Sequence, residues 1–206
     1  MEYVSRGTTG GIDKDKLKKD RGEAAEGTGL WMVIGVDRKE FGGTVEEMKR
    51  DYIAYKKDPD SLLSYQIGFH AEYTTNRERM EQIAALAEKY KAPVCVHCSE
   101  TRREVEECRE RSGMTPVAYM DSIGLFRHGG CLFHGVHPDD SDFDIIKKRR
   151  IDVVTNPASN LKLASGIAPV KRYLDMGIPA AIGTDGPASN NCLDMFREMF
   201  LVTGHG

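Results

Sequence analysis

Three short apolar runs in this 206-residue chain stop at side chains able to bind a metal or move a proton. Pro93-Val94-Cys95-Val96 leads into His97, with Glu100 just beyond; Cys131-Leu132-Phe133 leads into His134; Ile178-Pro179-Ala180-Ala181-Ile182 leads into Gly183-Thr184-Asp185-Gly186. An apolar run that ends abruptly in polar residues and glycine reads as a buried strand opening into a functional loop. Imidazole nitrogen and carboxylate oxygen are common ligands of zinc and related divalent ions, which makes His97 and Asp185 candidate ligands. Glu100 need not be a ligand: just past one, a glutamate can carry protons between water and substrate. His134 either joins the ligands or hydrogen-bonds the attacking water. His70 ends the run 62–69, and either faces the same cavity or caps its strand.

Other candidates carry less. His128, His137 and His205 fall in loops or at the chain end and read as solvent-facing. Asn156-Pro157-Ala158-Ser159-Asn160 reads as a turn whose side chains bond nearby backbone amides, a structural role rather than direct chemistry. Cys95 and Cys98 flank His97, but adjacent strand residues face opposite ways. Cys95 and His97 therefore share one face and Cys98 takes the other, which disfavours a zinc knuckle or redox pair. The glycines around Asp185 lack a Walker lysine or a G-x-G-x-x-G pattern, so a nucleotide loop is not indicated.

Such strand ends need a scaffold that brings them together. From residue 30 onward, strand-like and helix-like segments alternate. Strands are expected at 30–36, 62–69, 93–97, 131–134, 152–155 and 178–184. Helices are expected from Thr44 towards Lys57, with a Thr44/Glu47 capping box. Further helices are expected at 76–90, where Met80, Ile83, Ala84, Ala87 and Tyr90 have amphipathic spacing, and at 103–111, 116–122, 140–148 and 169–176, the last stopped by Gly177. Repeated strand–helix units with apolar strands predict a parallel α/β sheet covered by helices, with the functional side chains at the strand C-termini. Residues 1–29 give only a glycine-rich loop, a charge run and the end of a helix.

Composition narrows the function class. The formal net charge of −3, from 29 basic and 32 acidic residues, offers no electrostatic footprint for nucleic acid. No apolar segment approaches the roughly 20 residues that span a bilayer, and the N-terminus lacks a signal-peptide core. Five cysteines without framework spacing read as reduced thiols, hence a cytoplasmic protein. The expected partner is a small-molecule substrate, with no nucleic acid and no membrane, and the chain is expected to be a homo-oligomer.

Together, His97-Cys98-Ser99-Glu100-Thr101, Phe133-His134-Gly135-Val136-His137, the stretch from Asn156-Pro157-Ala158-Ser159-Asn160 to Pro169-Val170, and Gly183-Thr184-Asp185-Gly186 resemble the amidohydrolase superfamily. The similar branch is that of 5-methylthioadenosine/S-adenosylhomocysteine deaminases and chlorohydrolase-like proteins. Order and spacing match over about residues 60–200, and Gly7-Thr8-Thr9 resembles the start of the family's second barrel strand.

The resemblance implies a distorted TIM (β/α)8-type barrel with one divalent metal, zinc or iron. It implies His97 as a ligand ending the fifth strand and His134 beside the hydrolytic water at the end of the sixth. Asp185, ending the eighth, would be a ligand that also takes a proton, Glu100 would protonate a substrate ring nitrogen, and His70 would contact substrate. The implied activity is hydrolytic deamination of a purine nucleoside or related amino-heterocycle; guanine or chloro-triazine hydrolysis is the alternative substrate class.

The family's first strand carries a His-x-His pair of ligands, and no His-x-His occurs in this chain. A barrel typically takes about 250 residues. The expectation is therefore one partial barrel domain over 1–206, with 1–29 as a weakly matched entry segment. It would lack the first strand and helix and the family's small β-sandwich, with metal absent or weakly held and activity impaired. A second class of reading is a non-catalytic barrel piece whose exposed strand edges drive self-association or partner binding.

Overall fold

Short β-branched and apolar runs separated by helices build a parallel sheet because every strand needs a crossover before its neighbour. The computed structural model describes residues 10–13, 31–35, 44–56 and 63–204; the readings at Gly7–Thr9, across 14–30 and at His205 fall outside these. The strands are β1 (Gly10–Asp13), β2 (Trp31–Gly35), β3 (Leu63–Gly68), β4 (Val94–Cys98), β5 (Gly130–His134), β6 (Ile151–Thr155) and β7 (Ala180–Ile182). They form one seven-stranded sheet in sequence order, and every pairing is parallel. The helices are α1 (Val45–Tyr55), α2 (Arg77–Tyr90), α3 (Arg102–Ser112), α4 (Pro116–Ile123), α5 (Asp140–Arg149), α6 (Pro157–Lys162), α7 (Val170–Asp175) and α8 (Met195–Thr203).

Local signals explain most of the boundaries. Thr44 caps α1, with Glu47 returning the bond to the Thr44 amide. Asn76 caps α2 through the Arg79 amide. Gly177 turns the chain after α7 at φ +70°, a conformation costly for residues with a Cβ. Two elements differ from expectation. The last strand is shorter than 178–184, and 156–160 is no free turn, since Pro157 opens α6 there. α8, capped by Asp194, had no strong sequence signal.

The sheet's two faces do different jobs. Val94, Val96 and Cys98 of β4, Leu132 of β5 and Val153 of β6 pack against Ile83 and Ala87 of α2, Met120 of α4 and Phe143 of α5. The opposite face carries a small separate cluster of Cys95, Cys131 and Phe133 with Val154. Cys95 and Cys98 thus lie on opposite faces, as alternation requires, and the knuckle reading has no geometric basis. Strands β4 and β7 are three places apart, which would be about 14 Å in a flat sheet. Ligand atoms at their two ends nevertheless lie within 4.8 Å of each other. The sheet therefore curls, with the small cluster inside and the helices outside. Among the described residues, no helix is long and apolar enough to cross a membrane.

Candidate active site

The side chains at the strand C-termini meet. His97 at the end of β4, His134 at the end of β5 and Asp185 past β7 offer ligand atoms all within 4.8 Å of one another. Nε2 of His134 lies 3.9 Å from Oδ2 of Asp185 and 3.8 Å from Oε2 of Glu100. His70 stands beside them, its ring centroid 4.5 Å from that of His97, and the His97 ring is 5.2 Å from that of His134. All five residues singled out from the sequence therefore share one end of the sheet.

His134 arrives there by breaking a rule. It pairs in register with Cys98, while His97 pairs with Phe133. Strict alternation would send His134 to the helix side, with Leu132. Its backbone is instead left-handed at φ +73°, and so is that of Asp185 at +59° and Ser99 at +53°. Non-glycine residues in this region cost energy and persist where surrounding contacts hold them. Gly135 follows at φ +54°, where an added Cβ would sit 2.9 Å from the Tyr173 hydroxyl. That hydroxyl donates to the Gly135 carbonyl at 2.9 Å, and the Gly135 amide donates to the Cys98 carbonyl at 3.2 Å.

Each functional side chain has a fixed orientation. Nδ1 of His97 is 3.0 Å from the His70 carbonyl, so Nδ1–H donates there and Nε2 is left for the cavity. Asp185 accepts from the Ser159 and Ser189 hydroxyls, both at 2.7 Å, and from the Gly186 amide at 2.8 Å. Burial alone would raise its pKa, but these donors and nearby His134 outweigh it and hold the carboxyl below the usual range. Glu100 accepts from the Ser165 hydroxyl at 3.1 Å.

Several supporting residues were not foreseen. In the Asn156–Asn160 stretch, Asn156 makes no side-chain cap bond. Ser159 and Asn160 reach the site instead, the latter to Nδ1 of His134 at 2.8 Å. His137 is not solvent-facing: it is half-buried and bonded to the Ser165 carbonyl at 2.6 Å, next to Glu100's own partner. Glu198 of α8 is fully buried, accepting from the Ala158 amide at 2.8 Å and the Asn190 side chain at 2.7 Å. It thereby ties the start of α6, which carries Ser159, to the loop that follows Asp185. Its neighbours in sequence, Arg197 and Met199, gave no signal of that role.

Glu104 extends its capping box with Thr101 into a cradle for the Glu100 loop. Its carboxylate accepts from the Ser99 and Glu100 amides, both at 2.8 Å, and the Thr101 amide at 3.4 Å. Burial pushes the carboxyl up to about 7, against the pull of those amides. The folded value exceeds the ordinary 4.5, so the folded state binds this proton more tightly than the unfolded chain. The resulting stabilisation is full below about pH 4.5 and disappears as pH rises through 7, worth about 3 kcal/mol at most. Thermal melts should therefore show a Tm that falls between pH 5 and pH 8. Glu104→Gln should flatten that slope, whatever it does to the Tm itself; an unchanged slope would remove Glu104 as its source.

Two imidazoles and one carboxylate are a donor set that suits a divalent metal ion. The 3.9 Å between Nε2 of His134 and Oδ2 of Asp185 slightly exceeds the roughly 3.3 Å that two zinc bonds of about 2.0–2.1 Å subtend at a tetrahedral angle. A modest closure would fit the three donors to an ion.

Known proteins share this arrangement of strands. The chain is 38% identical over 208 residues to a 5-methylthioadenosine/S-adenosylhomocysteine deaminase of Caldanaerobacter subterraneus subsp. tengcongensis, covering 98% of this chain and 48% of that protein. It is 37% identical over 204 residues to a 5'-deoxyadenosine deaminase of Methanopyrus kandleri, covering 97% and 47%. The chain thus spans about half the length of the curated relatives it matches. An adenosine deaminase from Xanthomonas campestris, crystallised with bound zinc, superimposes with a TM-score of 0.86 at 28% identity, over 99% of this chain and 49% of that one. The model of the amidohydrolase family matches residues 14–203, which include every strand from β2 to β7 and the whole candidate site. Strand order, site geometry and this match agree that the chain belongs to the amidohydrolase family.

Proposed function

We propose that this chain carries part of the active site of a metal-dependent aminohydrolase that deaminates adenosine-type purine nucleosides, methylthioadenosine and S-adenosylhomocysteine among them. The observation that carries this reading is the meeting of His97, His134 and Asp185 within 4.8 Å, with Glu100 3.8 Å from His134. The relatives' names supply the substrate class, and the zinc in the adenosine deaminase crystal favours zinc over iron.

His97 and Asp185 would hold the ion, with His134 at hand as a further donor or as a partner for water. The chemistry such an ion supplies is acidification of water, from ~15.7 towards about 7. Asp185, whose carboxylate lies 3.9 Å from Nε2 of His134, takes the proton that the attacking water gives up. Glu100 delivers a proton through its carboxyl to a ring nitrogen, so that the amino-bearing carbon accepts the attack. His134 orients the water, and His70, beside His97, is placed to meet the substrate. Water attack and loss of ammonia convert the amino-purine to its oxo form, the proton taken by Asp185 passing to the departing amine and that of the new hydroxyl returning to Glu100.

The test is a substrate panel of adenosine, methylthioadenosine and S-adenosylhomocysteine, given to a chain extended by a strand–helix segment with His-x-His. Ammonia release and the adenine-to-hypoxanthine absorbance change are read with and without zinc. Absence of turnover on every substrate, in a folded and zinc-loaded protein, would sink the proposal. The chain as it stands is expected to hold metal weakly. Catalytic zinc sites normally have three protein ligands already set at bonding distance, and here the donors must close in. Elemental analysis after dialysis against a chelator should find well under one equivalent of zinc; one tightly held equivalent would contradict this.

A further inference from the structure

A neutral histidine chooses which nitrogen keeps its proton, and at His134 two asparagines compete over that choice. Nδ1 of His134 lies 2.8 Å from Oδ1 of Asn160, an acceptor, and 3.5 Å from Nδ2 of Asn156, a donor. The first requires a proton on Nδ1; the second requires that it be bare. The shorter contact is a full hydrogen bond and the longer one lies at the limit of reach, so distance favours Asn160.

Asn160 is also the better held. It is 1% exposed. Its Nδ2 donates to the Thr155 hydroxyl at 3.3 Å, its amide donates to the Asn156 carbonyl at 2.9 Å, and its carbonyl accepts from the Ser165 amide at 2.8 Å. Asn156 is turned the other way, with Oδ1 over Gly183, where an added Cβ would sit 2.5 Å from it.

We infer that Asn160 is a positioning residue that fixes His134 as the Nδ1–H tautomer and so presents a bare Nε2 to Asp185 and Glu100. This deepens the proposed function and rests on it for its purpose: a bare Nε2 can ligate a cation or accept from water, whereas Nε2–H can do neither. Free neutral histidine prefers its proton on Nε2, so the buried amide here works against the intrinsic preference. The first turn of α6 then orients two of the three candidate ligands, His134 through Asn160 and Asp185 through Ser159.

The test is the 15N NMR spectrum of His134 in the 206-residue chain at alkaline pH, where imidazole is neutral. Pyrrole-type and pyridine-type nitrogens separate cleanly by long-range coupling to the ring protons. The expected result is a pyrrole-type Nδ1 and a pyridine-type Nε2. Asn160→Leu, which keeps the bulk and loses the acceptor, should move the tautomer ratio towards Nε2–H on the order of tenfold. Asn160→Asp, which keeps an acceptor, should retain Nδ1–H. A purely structural Asn160 would leave the tautomer unmoved in both variants. A pyrrole-type Nε2 in the unmutated chain would overturn the inference, and so would an Asn160→Leu protein with an unchanged ratio. If the leucine variant does not fold, the unmutated chain and Asn160→Asp still decide. Titration with zinc chloride separates this from the functional reading. With Nδ1–H confirmed, a zinc-induced shift of the Nε2 signal supports both. Its absence would count against His134 as a ligand of the ion and leave the tautomer assignment standing.

Discussion

Replacing Glu100 by glutamine should lower deaminase turnover by about a hundredfold to ten-thousandfold, the usual worth of a positioned proton carrier. Glutamine has nearly the same shape and can still accept from Ser165, whose hydroxyl lies 3.1 Å from Oε1. What it lacks is a proton to give at the carboxyl that stands 3.8 Å from Nε2 of His134. The loss should therefore fall on kcat, with KM changed only a few-fold, because substrate binding keeps its contacts while the transition state loses a proton. The measurement belongs in the His-x-His-extended protein, where turnover is expected to be high enough to lose. A drop of less than tenfold would show that protons reach the ring nitrogen by another route.

The second large effect concerns the 206-residue chain itself. It should release ammonia from methylthioadenosine, S-adenosylhomocysteine or adenosine barely above background, even with added zinc. The three candidate donors, within 4.8 Å of one another, must draw in to bond an ion, and a misplacement of about 1 Å can cost on the order of a hundredfold in rate. Supplying a segment with His-x-His should restore at least that factor, in parallel with tighter zinc retention. Robust turnover by the chain alone would mean that His97, His134 and Asp185 suffice, and that the further ligands are dispensable.

Where the chain carries chemistry was legible, because strand ends announce themselves. Apolar runs that stop at His97, His134 and Asp185 became β4, β5 and the exit of β7, and the caps at Thr44 and Asn76 followed from local hydrogen bonding. How the side chains are aimed was not legible. Alternation would have turned His134 outward, and only its left-handed backbone, held through Gly135 and Tyr173, brings it inside. Supporting bonds were hidden for a related reason. Ser159 to Asp185, Asn160 to His134 and Ser165 to Glu100 join residues far apart in sequence. Their existence depends on loop backbone that no periodicity encodes. Glu104 shows the boundary: its capping role with Thr101 is local, whereas its reach back to Ser99 depends on that residue's positive φ.

The strands lie side by side in the order in which they are synthesised. Each new strand can therefore dock on an edge that already exists, without waiting for distant partners. The two imidazoles come from β4 and β5, but Asp185 follows β7, the last of the described strands. At roughly 5–20 residues per second, several seconds of translation separate His134 from Asp185. During that interval the growing sheet has its histidines without the carboxylate. Until Asp185 emerges a cation would meet only the two imidazoles, so the full set of three donors forms after β4 and β5 have paired.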